Sequence, residues 1–300
     1  MRIRISHETI YRYDTPAKSA IEILRLTPRN HDGQYIARWR IELNVDCRLD
    51  PFEDAFGNLA HTFTVDGPLS ELIIRVDGEV ETQDTAGTVN GSMERFPPSL
   101  YLRDTPLTAP DAALAAFARE TADGADGDPL ATLHALTARI YDEFAFDPDP
   151  THSATSAAES FAFKRGVCQD YAQIFIAAAR HLAIPARYVS GYFLRVDGVT
   201  AQEAGHAWAE AYLPKLGWIA FDPANGISAT AAHVRVAIGL DSLGAAPVRG
   251  TRTGGEGEKL SGLQTIMDRD DDNGENGNGN GNGNGANGHG NDNGGDAAPH

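Results

Sequence analysis

Two cysteines, Cys47 and Cys168, are the only thiols in this 300-residue chain, and they differ in setting. Cys168 follows Gly166-Val167 and opens a segment with helical spacing. Ala172, Phe175, Ile176, Ala179, Leu182 and Ala183 make one apolar face of it. Ile184-Pro185 stops that helix, and Arg187 to Arg195, rich in Tyr, Val and Phe, reads as a buried strand. A cysteine at the start of a helix sits among unpaired N–H groups and the positive end of the macrodipole, which favour an anionic sulfur. Cys47 ends a strand-like run, Trp39 to Val45, without chemical company, and reads as structural.

A cysteine nucleophile needs a base within hydrogen-bond reach and a third group to orient that base. His181 lies thirteen residues along the same helix, roughly 20 Å away at 1.5 Å per residue, and is excluded. His289 and His300 belong to the C-terminal tail, and His7, His31 and His61 to a β-rich region. His206 heads a strand-like run, AGHAWAEAYL, followed by the turn Pro214–Gly217 and a second strand, Trp218–Asp222. His206 and Asp222 are each eight residues from Pro214, so a hairpin turning there sets them opposite or nearly so. Facing side chains in such a pair have Cβ atoms about 5 Å apart, close enough for a carboxylate to fix the imidazole tautomer. Trp208 shares the face of His206 in the two-residue period and is placed to shield the pair from water. An ordinary hairpin with a surface aspartate would show the same pattern.

The elements that must hold these groups fall into two regions. Residues 1–104 read as an all-β domain, with strands at Arg2–Arg12, Tyr35–Val45, Ala60–Val65 and Glu71–Val80 between turn signals. Ser19–Pro28 is apolar enough for strand or short helix. From Pro106 the period becomes helical. One helix runs from Ala109-Pro110 to about Ala122, a second from Pro129 to Phe144, and a short third over Ala157–Lys164 behind a Ser156/Glu159 capping box. Helices first and strands afterwards make residues 105–267 an α+β core closed by the strands His233–Ile238 and Lys259–Met267. Residues 268–300, largely Gly-Asn repeats, have no apolar periodicity and are expected to be disordered.

Composition limits the partners. A formal net charge of −17 argues against nucleic-acid binding and against adsorption to an anionic membrane. The N-terminus shows no secretory apolar region and no run is long enough to span a bilayer, so the expected setting is cytoplasmic with reduced thiols. No phosphate-cradling glycine loop or pair of metal-ligand motifs is present, so neither a cofactor nor a metal is expected.

The segments GVCQDYAQ…IPARYVSGY and GHAWAEAYLPKLGWIAFDPANG resemble the Cys, His and Asp segments of the bacterial transglutaminase-like family, within the papain-like cysteine-enzyme superfamily. The opening HETIYRYDTP, then LRLTPR and DAFGN, resembles the β domain that precedes that core. The resemblance spans most of residues 1–255. It implies an N-terminal β domain followed by helices packed on an antiparallel sheet, with Cys168 as nucleophile, His206 as general base and acid, and Asp222 as orienting carboxylate. Gly205 stands where many relatives have Ser and Ala224 where many have Thr. Leu240, Ser242 and Gly244 depart from a late stretch that usually reads closer to GRDY-x-D.

The implied reaction is attack of Cys168 on a peptide or carboxamide carbonyl, giving a thioester. The Cys168 N–H and a second donor would hold the oxyanion, with Gln169 the nearest side-chain candidate. Asp170 reads as a cap of its own helix. Water as acceptor gives a protease or amidase acting on a peptide or protein substrate, and a lysine amine gives a cross-linking transglutaminase. Hydrolysis is favoured, since no stretch marks an amine-acceptor site. The contrasting class is a non-catalytic protein-binding module of the same fold, which would normally have lost the nucleophile or the histidine.

Overall fold

The computed structural model describes residues 1–202 and 204–269. The chain opens with β1 (Arg2–Thr27), β2 (Gln34–Leu43), β3 (Asp50–Glu53), β4 (Leu59–Thr82) and β5 (Thr88–Val89). Then come α1 (Ala112–Gly124), α2 (Pro129–Glu143), β6 (Ala145–Phe146), α3 (Ala157–Phe163), β7 (Arg165–Gly166) and α4 (Cys168–His181). The remainder is β8 (Ala186–Phe193), β9 (Ala201–Gln202), β10 (His206–Leu213), β11 (Gly217–Asp222), β12 (Ile227–Ser228), β13 (His233–Gly239), β14 (Val248–Gly254) and β15 (Lys259–Asp268).

The first sheet has the order β2-β4-β1-β15-β9, with β14 also on β1 and β3 also on β4. Ser19–Pro28, equally consistent with helix or strand by composition, is the second half of β1. That strand pairs with β4 along almost its whole length, and its register breaks between Arg12, Ala17 and Ser19 bend both strands together. Val80, Ile3 and Ile5 face the rest of the molecule and join the main core.

The second sheet, β12-β11-β10-β8-β13, is antiparallel, with α4 lying across it. Ala207, Ala209 and Ala211 keep one face of β10 flat, so the apolar face of α4 (Ala172, Phe175, Ile176, Ala179) approaches closely. The helix is buried almost all round, because α1, α2 and α3 cover its other sides. The other face of the sheet carries Trp208, Trp218 and Val189 in a separate cluster with Tyr101. The α+β class and the helix boundaries expected from the sequence are those observed, within three residues at each end.

The C-terminal strands differ from expectation. Grouped with the core by sequence order, β14 and β15 instead pair with β1 of the first sheet, β15 in unbroken register from Ile3↔Asp268 to Arg12↔Lys259. The chain thus returns to its beginning, and the edge of β1 that β4 leaves open is covered. Asp268, expected to open the tail, is instead the last residue of β15. Of the expected disordered stretch 268–300, positions 270–300 lie outside the described residues. Among the described residues no helix is long and apolar enough to cross a membrane.

Candidate active site

Cys168 is the first residue of α4, after Val167 in an extended conformation (φ −115°, ψ −178°). Asp170 folds back in the first turn, and its Oδ2 accepts from the Val167 N–H at 2.8 Å and from Thr151 Oγ1 at 2.8 Å. This is the capping role read from the sequence. Gly166 makes room for it, since a Cβ there would lie 2.6 Å from Asp170 Oδ2. The cap leaves the sulfur half-buried at the helix start, with the Cys168 thiol directed at Gly205 O, 3.9 Å away. At a helix start the Cys168 N–H has no intrahelical partner and is free for a substrate oxyanion.

His206 begins β10 and Asp222 ends β11. The hairpin register is Ala209↔Phe221 through Leu213↔Gly217, so it centres one residue later than a turn about Pro214. Continued outward, it puts Asp222 level with Trp208 and makes His206 the diagonal neighbour. Side-chain length spans that diagonal, and His206 Nε2 meets Asp222 Oδ2 at 2.7 Å. Cys168 lies close enough to the same imidazole to help raise its pKa. With Nε2 taken by the carboxylate, Nδ1 is the nitrogen left for the thiol.

Asp222 is fully buried and saturated with donors. Its Oδ1 accepts the N–H groups of Ala224 (3.1 Å) and Asn225 (3.3 Å). Its Oδ2 accepts from His206, from Asn225 Nδ2 at 2.6 Å and from His233 Nε2 at 3.0 Å. Burial alone would favour the neutral acid, but His206 and then His233 outweigh it and hold the carboxyl well below the usual range. Burial likewise opposes a charged His206, yet the Asp222 charge, its hydrogen bond and then Cys168 raise the imidazole to about 10. The site therefore favours an imidazolium between a carboxylate and a sulfur.

His233, on β13, is a participant that the sequence reading missed. The Thr230 N–H donates to its Nδ1 at 3.0 Å, so its proton must sit on Nε2, aimed at Asp222. Burial lowers its pKa, consistent with a neutral donor. No local motif signals it, because it lies eleven residues past Asp222 on a strand that reaches the site only through sheet pairing. Asn225 could have been picked out, since it sits in the turn that carries Asp222. His206, Asp222 and His233 place their ligand atoms within 4.8 Å of one another, a spacing that a metal ion could also use. Their separations are those of hydrogen bonds, and both imidazoles direct a nitrogen at one oxygen, as proton donors do.

Aromatic rings close the site. Trp208 is buried with its ring centroid 6.0 Å from His206, as its register suggested, and Phe193 lies at 5.1 Å on another side. Of the residues singled out by sequence, Cys168, His206, Asp222 and Trp208 come together. Gln169 is half-buried beside Cys168, and among the described residues no hydrogen bond ties its side chain to the other three. The late departures fall elsewhere. Ser242 donates to Gln173 Oε1 in the middle of α4, and the Leu240 carbonyl accepts from buried Arg180 near its far end. Cys47 sits half-buried against the first sheet's core, its thiol pushed up by burial and by Asp46. Iodoacetamide at neutral pH should therefore label Cys168 at least about tenfold faster than Cys47. Equal rates by peptide mass mapping would count against a sulfur activated by His206.

Residues 115–223 match the transglutaminase-like superfamily and residues 3–81 the bacterial transglutaminase-like N-terminal region. An uncharacterised protein of Mycobacterium leprae is 29% identical over 267 residues, covering 84% of this chain and 94% of that protein. A protein-glutamine gamma-glutamyltransferase of Pseudomonas aeruginosa is 32% identical over 112 residues, covering 33% of this chain and 16% of its own length. A solved structure from Cytophaga hutchinsonii, provisionally described as a cysteine protease, superposes with a TM-score of 0.67. Its sequence identity is 19%, with 89% of this chain and 98% of that one covered, and the likeness is one of fold.

Proposed function

We propose that this chain, which belongs to the transglutaminase-like superfamily, is a thiol enzyme that opens peptide or carboxamide bonds and passes the acyl group to water, as a cysteine protease or amidase. The observation that carries the reading is the imidazole of His206, held by buried Asp222 at 2.7 Å and raised in pKa by Asp222 and then by Cys168.

In this mechanism the Cys168 sulfur forms a bond to the substrate carbonyl carbon, and the carbonyl oxygen becomes an oxyanion beside the Cys168 N–H. Gln169 is the nearest side chain able to add a second donor. The His206 imidazolium gives its proton to the leaving nitrogen as the C–N bond breaks, leaving a thioester. Water then loses a proton to His206 and attacks the thioester, releasing a carboxylic acid and restoring the sulfur anion with its imidazolium. Asp222 remains ionised throughout and steadies the imidazolium.

Transfer to a primary amine is the second reading, favoured by the local similarity to the Pseudomonas glutamyltransferase. It requires an acceptor channel that excludes water, because water at ~55 M outcompetes a dilute amine unless binding supplies a large effective concentration. The deciding experiment incubates the protein with a glutamine-containing peptide library and a labelled amine, scoring cleavage and incorporation together. Cleavage that is lost in Cys168→Ala is the expected result. Incorporation outrunning cleavage at millimolar amine would replace hydrolysis by transfer. Neither product, from a folded protein, would point to a binding module.

A further inference from the structure

β13 is the outermost strand of the second sheet, so one of its edges has no strand partner. The N–H and C=O groups along such an edge need partners from elsewhere. Side chains of the first sheet supply them. Gln34 Oε1 accepts the Arg235 N–H at 2.8 Å, and its Nε2 donates to the Arg235 carbonyl at 2.9 Å. The same Nε2 donates to the Arg29 carbonyl at 2.8 Å, so the amide is fully engaged and its orientation is set. Asn58 treats Ile238 in the same way, at 2.8 Å in both directions. Thr82 Oγ1 donates to the Ala231 carbonyl at 2.5 Å. Gln34, Asn58 and Thr82 are all buried.

Two of these grips bracket His233. Ala231 stands two residues before it and Arg235 two residues after. Gln34 and Thr82, which hold them, are cross-strand partners at the start of β2 and the end of β4. One rung of the first sheet therefore fixes the backbone on both sides of the residue whose Nε2 donates to Asp222 Oδ2 at 3.0 Å.

The turn inside that bracket sets the His233 proton. The His233 N–H donates to the Thr230 carbonyl at 3.1 Å, and the Ala232 N–H to Thr230 Oγ1 at 3.2 Å. The Thr230 N–H donates back to His233 Nδ1 at 3.0 Å, and this bond keeps the ring proton on Nε2. If the turn shifts and that bond lengthens, the ring is free to carry its proton on Nδ1. A lone pair then faces the Asp222 carboxylate and pushes it away from its place against His206. Asn58 offers a contrast on the same strand. The pairing of β13 with β8 shifts register between Arg235 and Ala237, so Ile238 lies beyond an irregularity that separates it from His233.

We propose that Gln34 and Thr82 are positioning residues for the reaction. Acting through His233, they keep a proton aimed at Asp222 and so keep Asp222 and the His206 imidazole in line with Cys168. The inference rests on the acyl-enzyme reading above. It gives the first sheet a task in the chemistry, exerted through the edge of β13.

The test follows the full-length protein, with ¹⁵N in its histidines, by long-range ¹H–¹⁵N NMR, which distinguishes imidazole tautomers. Iodoacetamide labelling of Cys168 is measured beside it. Thr82→Val keeps the shape and removes the hydroxyl. It should give His233 a mixed tautomer and slow labelling about three- to tenfold. Thr82→Ser should restore both. Gln34→Met should act as Thr82→Val does, whereas Asn58→Ala should lower the melting temperature and leave tautomer and labelling rate as they are. In a His233→Phe background Thr82→Val should slow labelling no further, since the route through His233 is already cut. An unchanged tautomer and rate in folded Thr82→Val would overturn the inference, as would equal effects from Asn58→Ala or full additivity with His233→Phe. None of these readouts needs a substrate, so they separate this inference from the proposed function. Absence of Cys168-dependent cleavage or amine incorporation with the peptide library would instead strike the acyl-enzyme reading, and the role in the reaction with it.

Discussion

Asp222→Asn should leave the fold intact and lower turnover by about 10³- to 10⁴-fold, the largest loss expected short of removing Cys168 or His206. The reason lies in the proton inventory around Oδ2. His233 is fixed as a donor by the Thr230 N–H, Asn225 donates at 2.6 Å, and His206 donates through Nε2. A carboxylate oxygen accepts from all three. An asparagine either turns its NH2 group toward these donors or offers a weaker, uncharged acceptor, and in both cases His206 loses the group that lifts its pKa. The alkaline limb of kcat/KM, expected near the imidazole value of about 10, should therefore move down in the variant. His233→Phe should move it less, because Asp222 keeps its other donors. Full activity in Asp222→Asn, with a native circular dichroism spectrum and an unmoved pH profile, would sink the assignment of Asp222.

What could be read from the chain was local. Cys168 at a helix start, the alanines and aromatics that face it, and the Ser156/Glu159 capping box each depend on neighbours within a turn or two, and the helices stand where expected. The His206/Asp222 pairing was legible because a hairpin converts sequence spacing into proximity, although its centre was misplaced by one residue. The remainder depends on contacts that spacing does not encode. His233 reaches Asp222 only because β13 pairs with β8, on the far side of β10. Likewise β15 joins the first sheet only because it returns to β1, with Gln264 opposite His7. Strand pairing across more than two hundred residues leaves no periodic trace in either partner, so the last strands looked like part of the core that precedes them.

Glu210→Gln should lower stability by about 3–5 kcal/mol, enough to drop the melting temperature by roughly 10 °C or more, with turnover per folded molecule retained. Glu210 lies four residues beyond His206 on β10 and is 0% exposed. Its Oε2 accepts from Arg187 Nε at 2.6 Å and its Oε1 from Arg235 Nε at 2.7 Å, so one carboxylate ties β10 to β8 and β13. Arg187, itself fully buried, is also held by Glu94 and stacks over the Trp218 ring at 3.8 Å. The neutral amide keeps the shape but takes from Arg235 its carboxylate partner and leaves fully buried Arg187 with Glu94 alone to offset its desolvation. Such an ion cluster need add little net stability as a whole, but removing one member exposes the desolvation cost of the others. The pH dependence carries the same signature. Burial would raise the Glu210 pKa, yet Arg235 and then Arg187 outweigh it and hold the group at about 2, below the ordinary 4.5. A depressed carboxyl binds fewer protons folded than unfolded, so its stabilisation is complete above about 4.5 and is lost as pH falls toward 2. Urea midpoints measured across that window should fall steeply in the wild type and less steeply in Glu210→Gln, with Asp222 supplying the remaining slope. A variant that melts within a degree or two of the wild type would mean that the two arginines find other partners and that the cluster does not tie the three strands together.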